Sequence, residues 1–411
     1  MTRGTNTNSA RPRGLISWAR RRIFPRLARY LALLGVLVLV AWVIGRVRTD
    51  QTRWSQYLWW LPPLWALGAA WLLLFVSAGF GWLSRRPSGW VLRPLLLVGC
   101  VALSVYVLVW SWHLPRFARS YTRDPSSIRV LHWNQSAARI DQQQWGRRIR
   151  DLGVDIVLIA NAKWGDDRQR LLSQFEYFAP VEQERWVNYS YRVHAEPSHY
   201  RVEGDAMIAS RFPMTRTGMV SFGSRQRQQV LNHSSSGKGW VMFAEFDLDP
   251  DDPQDEPFVV WFVDLPSNPL HWKIEQMQGV RRAIDSWEGI GWEMGRHVWE
   301  QTQFEDTRFP TPDLIIGDFN TTRGSASLDL LVPDYQDAFE AVGMGRGRSW
   351  VPESRNRIQR AAFKLADFHI DLALLNPAAR AEHYELLETE HGSHYVQILD
   401  LSRDSGTITE N

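Results

Sequence analysis

Hydrophobic and polar positions divide the chain into two parts. Three long apolar stretches lie near the amino terminus, at about 27–45, about 57–83 and 95–112. Each reaches the roughly 17–25 residues that a membrane-spanning helix needs. Buried helices of a soluble protein usually keep a polar stripe, which these stretches lack. The pattern therefore predicts three transmembrane helices within 27–112.

From about Ser127 the pattern changes to short apolar runs of strand length, separated by helical patterns and turn residues. The predicted strands are Ile128–Trp133, Ile156–Ala160, Ala206–Ser210, Val241–Asp247, Phe258–Val263, Leu314–Gly317, Ile370–Leu375 and Tyr395–Asp400. The predicted helices are Gln142–Leu152, Trp272–Trp287 and a short one near Leu328–Leu331. Many strands with few helices between them indicate two packed sheets flanked by helices.

These patterns predict five consecutive parts. A basic cytoplasmic tail (1–26) precedes the three transmembrane helices (27–112), and a linker (113–127) follows them. The globular domain occupies 128–402, and 403–411 form a flexible C-terminal tail.

Charge is distributed unevenly and predicts an orientation. Residues 1–123 hold 17 Arg, no Lys and a single acid, a net charge of +16, which leaves −13 for the remainder of a chain whose total is +3. Eight of these Arg precede Tyr30, and such a basic tail favours a cytoplasmic N-terminus. Three spans then place the C-terminal domain outside the cytoplasm. We therefore expect an integral protein of a bacterial-type inner or plasma membrane, with the lipid bilayer as its partner.

Charge and cysteine content also exclude some classes of protein. The acidic C-terminal part counts against a long nucleic acid as substrate, because such polyanions are held by clustered Lys and Arg. The single cysteine, Cys100, rules out a disulfide within the chain and a cysteine zinc site.

Polar side chains occur at the ends of several predicted strands. In "LIIGDFNTT" the apolar run stops at Asp318 and Asn320, whose alternate positions direct both side chains to one face. Each such residue alone has an ordinary explanation, since Asn and Asp end strands by forming turns. The further candidates are Asn134 in "VLHWNQS", Asn161 in "DIVLIANAKW", Asp264 in "VVWFVDLPSN", Asp371 in "FHIDLALLNP" and His394 in "EHGSHYVQIL".

Taken in this order, the stretches resemble the endonuclease/exonuclease/phosphatase family, to which deoxyribonuclease I belongs. The resemblance covers about 128–401 and depends on "GDFN", on "GDAMIASRFPM" at 204–214, on "HIDLALL" and on the closing "SHYVQIL". It implies an α/β fold, a four-layer sandwich of two mixed β-sheets flanked by helices. In this chain an all-α transmembrane segment precedes that sandwich.

The resemblance also implies a reaction, the hydrolysis of a phosphoester with the help of Mg²⁺ or Mn²⁺. Asp318 would orient or deprotonate the attacking water, with Asn320 and Asn134 beside the phosphate and the metal. Asp371 would orient His394, which would stabilise the charge of the transition state. An Asp beside an imidazole favours its protonated form, which suits that role.

Three positions depart from the family pattern on the metal side. Asn161 stands where the family has its principal metal-binding Glu, Asp264 replaces a His or Tyr, and Ser393 replaces an Asp before the closing His. Because Mg²⁺ prefers carboxylates over neutral amides, we expect a weak, partly degenerate metal site at Asn134, Asn161 and Asp264. Asp264, or the loop acids at 166–167, are candidates to replace the missing carboxylates.

Two functions remain open at this point. The first is a membrane-anchored, metal-dependent phosphoester hydrolase that acts on a small or lipid-linked phosphoester rather than on long nucleic acid. The second is a catalytically inactive protein of the same fold that binds a phosphorylated ligand or a partner protein. The residues that would act on the attacking water are retained, which favours the hydrolase. The two carboxylates that would bind the metal are missing, which favours the inactive protein.

Overall fold

The computed structural model of this 411-residue chain describes most of its length. The described residues are 13–84, 91–136, 141–162, 170–171, 174, 197–222, 239–252, 256–296, 298–352, 356–389 and 392–403.

Three helices are long and apolar enough to cross a membrane, which confirms that prediction by length and composition. We call them the first span (Phe24–Arg48), the second span (Pro63–Ser84) and the third span (Leu92–Ser111). Sequence analysis extended the second span back to about residue 57, and this was wrong. A separate short helix, Arg53–Trp59, occupies that stretch. The tandem prolines explain the break, because the residue before a proline is disfavoured in a helix while a proline suits the first helical position.

Strands make up most of the C-terminal part. Those described are β1 (Ile128–Asn134), β2 (Ile156–Ala160), β3 (Tyr200–Glu203), β4 (Ala206–Ser210), β5 (Met214–Phe222), β6 (Gly239–Phe246), β7 (Phe258–Asp264), β8 (Ile290–Met294), β9 (Trp299–Gln303), β10 (Leu314–Asp318), β11 (Gln336–Asp337), β12 (Asp371–Leu375), β13 (Ala379–Leu387) and β14 (Val396–Arg403). All eight predicted strands are present, with small shifts at their ends.

The strands form two mixed sheets, as predicted. One has the order β13-β14-β1-β2-β4-β3 and the other β11-β12-β10-β7-β6-β5-β8-β9. In the first, β1 is parallel to β2 and antiparallel to β14. In the second, β10 is parallel to β7 and antiparallel to β12. Strands that sequence analysis missed include β3, β9, β11 and β13 at the sheet edges, whose mixed polar and apolar residues give only a weak pattern.

Helices cover the outer faces of both sheets and complete the predicted four-layer sandwich. The helix Gln142–Asp151 packs Trp145 and Ile149 on the first sheet. The helix Lys273–Asp285 packs its buried apolar side chains on the second. The residues that fill the space between the sheets include Val130, Leu158, Ile208, Phe246, Phe262, Ile316 and Leu399.

Other helices of the domain are short. The helix predicted near 328–331 is a single 3₁₀ turn, Leu328–Leu330. Ala338–Val342 and Arg357–Lys364 are helices that the pattern did not indicate. A helix of five to eight residues contains too few turns for a helical period to stand out.

The segment 113–127, predicted as a linker, lies against the domain. The Tyr121 hydroxyl donates to Asp400 Oδ2 at 2.9 Å, and Arg123 Nη2 donates to Asp155 Oδ2 at 2.6 Å. These contacts hold the start of the domain close to the end of the third span.

Candidate active site

Three carboxylates lie side by side across the second sheet. The backbone register pairs Asp318, the last residue of β10, with Asp264 on β7 and with Asp371 on β12. Neighbouring strands are about 4.8 Å apart. The pairing therefore brings three acids from distant parts of the sequence to one sheet end.

A glycine allows β10 to approach β7 directly before this row of acids. Gly317 has a φ of +150°, and a Cβ atom there would lie 2.0 Å from the Val263 carbonyl oxygen. A side chain at this position would push the two strands apart. Gly317 thereby helps to hold Asp318 next to Asp264.

Asn134 and Asn320 hold the Asp318 carboxylate from two directions. Asn134 Nδ2 donates to Oδ2 and the Asn320 backbone N–H donates to Oδ1, each at 2.9 Å. Asn320 adopts a left-handed φ of 49°, and its side-chain Nδ2 donates to the Leu265 carbonyl at 2.8 Å. Asn320 thus fixes the loop after β10 as well as the carboxylate.

His394 lies between Asp371 and Asp318 and is buried. Its Nδ1 is 3.1 Å from both carboxylate oxygens of Asp371, and its Nε2 is 3.8 Å from Asp318 Oδ2. Ser349 in turn fixes Asp371, because its Oγ accepts the backbone N–H groups of Ile370 and Asp371 at 3.0 and 2.9 Å. Sequence analysis missed Ser349, since nothing near it in the sequence distinguishes it from other serines.

The close acids change the pKa values of their neighbours. Burial opposes protonation of His394, but Asp371, Asp318 and Asp264 outweigh it and raise the pKa of the imidazole to about 9. Burial, followed by the charge of Asp371, raises the pKa of Asp318 to about 7. Burial and the charge of Asp318 raise the pKa of Asp264 well above its usual value. His394 is therefore a cation at neutral pH, and Asp318 is poised to exchange a proton.

Asn161 lies beside Asn134 and Asp264 in a left-handed conformation, with a φ of 53°. Its Nδ2 donates to Asn134 Oδ1 at 3.0 Å and to Asp264 Oδ2 at 3.1 Å. The amide group thus bridges these two oxygens with its hydrogens. Ser393 and Asn161 line one cavity.

The oxygens of this site suit a hard divalent cation. Asp264, Asp318 and Asn134 offer carboxylate and amide oxygens, the donors that Mg²⁺ and Mn²⁺ prefer. Burial, followed by the charge of a neighbouring carboxylate, raises the pKa of both carboxyls, and a bound cation would favour their ionised forms. The ligating atoms of Asp318, Asp371 and His394 also lie within 4.8 Å of one another. A protonated imidazole bound to Asp371 is a poor ligand, so Asp264 and Asn134 are better placed to hold a cation.

A cavity of about 420 Å³ encloses these groups. Its wall includes Asn134, Asn161, Asp264, Asp318, Asn320, Ser393 and His394, together with Trp60, Trp350 and Pro269. Trp60 belongs to the turn before the second span, a part of the chain in which sequence analysis placed no functional residue.

Solved structures of the endonuclease/exonuclease/phosphatase fold are neighbours of this chain. The endonuclease/exonuclease/phosphatase from Bacteroides vulgatus aligns with 67% of this chain and 99% of its own, at 12% identity and a TM-score of 0.42. A family protein from Bacteroides thetaiotaomicron aligns with 68% and 98%, at 13% identity and a TM-score of 0.43. A Staphylococcus aureus beta toxin mutant with bound magnesium ions aligns with 66% and 99%, at 15% identity and a TM-score of 0.37.

Comparison at the level of sequence finds no match. No protein-family model matches the chain, and no curated protein matches it. At identities of 12 to 15% and TM-scores of 0.37 to 0.43, these similarities say nothing about substrate or reaction. The chemistry of this site therefore has to be inferred from its own residues.

The predicted site residues come together in the structure. Asn134, Asp318, Asn320, Asp371 and His394 form one connected group through the contacts described above. The same cavity is lined by the three positions that depart from the family pattern, Asn161, Asp264 and Ser393. The loop acids at 166–167, considered as substitute ligands, lie outside the described residues. The catalytic and metal-binding roles of all these residues stay predictions.

Proposed function

We propose that this protein is a membrane-anchored phosphoester hydrolase whose divalent-cation site has lost two carboxylates. One observation supports this most directly: the Asp318 carboxylate faces His394 across 3.8 Å while Asp371 holds the other side of that imidazole. A base and a cationic hydrogen-bond donor that meet in a small cavity are what phosphoester hydrolysis requires.

In the proposed reaction, Asp318 holds a water molecule and accepts its proton as the water oxygen attacks phosphorus. A pKa of about 7 makes Asp318 an effective base near neutral pH. Protonated His394 donates a hydrogen bond to a phosphate oxygen and stabilises the charge that gathers there as the ester P–O bond breaks. The departing alkoxide takes a proton from solvent and leaves as an alcohol. Asp264 and Asn134 would hold a divalent cation, which would add positive charge beside the phosphate.

A second function is favoured by the position of Asn161. Because its amide hydrogens already bridge Asn134 Oδ1 and Asp264 Oδ2, the site is stabilised without a cation in that place. In this second function, the protein would bind a phosphorylated ligand through His394 without hydrolysing it.

Hydrolysis of a generic substrate separates the two functions. We would measure release of p-nitrophenol from bis(p-nitrophenyl) phosphate by the full-length protein in vesicles, with Mg²⁺, Mn²⁺ or Ca²⁺. The hydrolase function predicts metal-stimulated turnover that Asp318→Asn abolishes and that the control His383→Ala preserves. His383 is a suitable control because it lies on β13, where it stacks on Tyr121. Turnover equal in the wild type and Asp318→Asn would rule out this site as an active centre.

A further inference from the structure

The ends of all three spans on the domain side are bound to the domain. Trp272 Nε1 donates to the carbonyl of Asp50, just after the first span, at 2.8 Å. Trp65, in the first turn of the second span, donates to the Ala362 carbonyl at 3.0 Å. Trp112, directly after the third span, donates to Asp367 Oδ2 at 3.0 Å. The domain therefore packs directly against the ends of the spans and is not tethered at a distance.

The short helix Arg53–Trp59 ties the membrane surface to the rim of the cavity. Its fully buried Gln56 donates from Nε2 to the carbonyls of Pro269 and His271, at 3.1 and 2.9 Å. The backbone N–H of Lys273 donates back to Gln56 Oε1 at 2.8 Å. Pro269 itself lines the cavity, so one side of the site is built on the segment that leads into the second span.

An aromatic wall continues from that segment to His394. The Trp60 ring lies 6.3 Å from Phe368, Phe368 lies 5.7 Å from Trp350, and Trp350 lies 6.3 Å from His394. Trp60 precedes Pro63, the first residue of the second span, by three positions. Three extended residues reach at most about 10 Å, so this part of the cavity wall lies close to the start of the second span.

Apolar side chains are exposed on the same side. Leu270, next to the cavity residue Pro269, is 62% exposed. The helix Arg357–Lys364, which contacts Trp65 through Phe363 and Ala362, exposes 82% of Ile358. Exposed apolar residues beside basic ones are typical of a surface that rests on a bilayer.

We infer that this site takes the phosphoester headgroup of a membrane lipid, which enters past Trp60 from the leaflet on the domain's side. The inference rests on the proposed hydrolase function and narrows its substrate class. A headgroup phosphate fits a cavity of about 420 Å³, while the acyl chains stay in the bilayer beside the second span. A lipid delivered by the membrane needs no basic groove for capture, in agreement with the net negative charge of the C-terminal part.

The test compares the hydrolysis of each intact lipid with that of its soluble, deacylated counterpart. Full-length protein in vesicles is given phosphatidylglycerol, phosphatidylethanolamine, phosphatidylcholine or phosphatidic acid, and separately the deacylated counterpart of each in solution. We expect kcat/KM for at least one lipid to exceed that for its deacylated form by ~10²-fold or more, since the bilayer concentrates and orients the substrate. Equal values for lipid and headgroup would overturn the inference and leave the hydrolase function standing. No hydrolysis of any substrate, bis(p-nitrophenyl) phosphate included, would remove both.

Substitution of Trp60 tests the route of entry. Trp60→Ala should lower the ratio of lipid to headgroup hydrolysis ~10-fold, the scale of a lost aromatic contact, and Trp60→Phe should restore most of it. The control is Trp82→Ala, an 81% exposed tryptophan at the far end of the second span, which should leave the ratio unchanged. A ratio unaffected by Trp60→Ala would show that lipid does not enter past this residue.

Discussion

At the residue scale, the Asp371–His394 pair is where the proposed functions differ most. A hydrolase needs both residues for turnover, whereas a binding protein needs only the positive charge of His394. A purely structural pair would tie the strand β12 to the segment before β14 and do nothing more. The 3.8 Å separation of His394 from Asp318 favours a role in the cavity.

We predict that His394→Ala lowers kcat at least ~10²-fold, because one positioned charge-stabilising group usually contributes that much. Asp371→Ala should reproduce most of this loss, and the double variant should add little, since the two residues act as a unit. Kinetics with bis(p-nitrophenyl) phosphate, together with melting temperatures, would check this. A lower melting temperature with unchanged kcat would mean that the pair is structural.

The raised pKa values predict a bell-shaped pH profile. Asp318 acts as a base only when ionised, so kcat/KM should rise with pH through about 7. His394 acts only when protonated, so kcat/KM should fall as pH rises through about 9. Activity that stays flat across both of these pKa values would contradict the proposed roles.

The proposed cation site can be tested by introducing the two carboxylates that the family pattern has there. We predict that the wild-type protein binds Mg²⁺ weakly, and that Asn161→Glu with Ser393→Asp raises Mg²⁺ affinity and hydrolysis together. Anionic oxygens strengthen a Mg²⁺ site, and the carboxylate introduced by Asn161→Glu has no amide hydrogens with which to bridge its neighbours. Isothermal titration of the full-length protein would measure the affinity. Tight stoichiometric binding by the wild type would instead indicate that Asp264 is a sufficient ligand.

At the element scale, strand pairing positions the three acids. β7, β10 and β12 are neighbours in the second sheet, and each brings its acid to the same end. A shift of one residue in any of these strands would turn its acid to the opposite face of the sheet. The close contact at Gly317 is therefore part of the site as well as of the fold.

We predict that Gly317→Ala destabilises the protein by about 3 kcal/mol or more, because its Cβ would overlap the Val263 carbonyl and force β10 away from β7. The matched control is Gly279→Ala in the helix Lys273–Asp285, where the nearest atom would lie 3.8 Å from the new Cβ. That change should be neutral or stabilise the helix by up to about 1 kcal/mol. Chemical denaturation would measure the free energy of unfolding of both variants. Equal changes in the two variants would refute the steric explanation.

At the scale of the whole molecule, the spans and the domain form one packed unit. Buried hydrogen bonds such as that of Trp59 Nε1 with Ser325 Oγ, at 2.9 Å, join the membrane segment to the loop after β10. Because the domain is joined to the ends of the spans, the orientation of the spans decides which leaflet the site faces.

We predict that the domain lies outside the cytoplasm, because eight Arg precede Tyr30 and three spans follow them. Alkaline phosphatase fused after Asn411, which is active only outside the cytoplasm, should be active. A green fluorescent protein that matures only in the cytoplasm should be dark at the same position. The reverse result would show that the chain is inserted in the opposite direction.

The sequence by itself determined the elements whose physical signal is local. The spans follow from uninterrupted apolar composition, and β1, β2, β7 and β10 follow from apolar runs that end in polar residues. The order of these local motifs carried the family resemblance that nominated Asn134, Asp318, Asn320, Asp371 and His394. Edge strands such as β9 and β13 were missed because their half-exposed residues give no clear period.

Only the tertiary structure decided which of these groups meet. The register of β7 with β10 brings Asp264 beside Asp318, and the left-handed turn at Asn161 places its amide between Asn134 and Asp264. The contribution of Trp60 to the cavity had no local signal, because it depends on a span and a sheet that are far apart in the sequence. Such long-range packing is a property of the folded chain, and no window of neighbouring residues contains it.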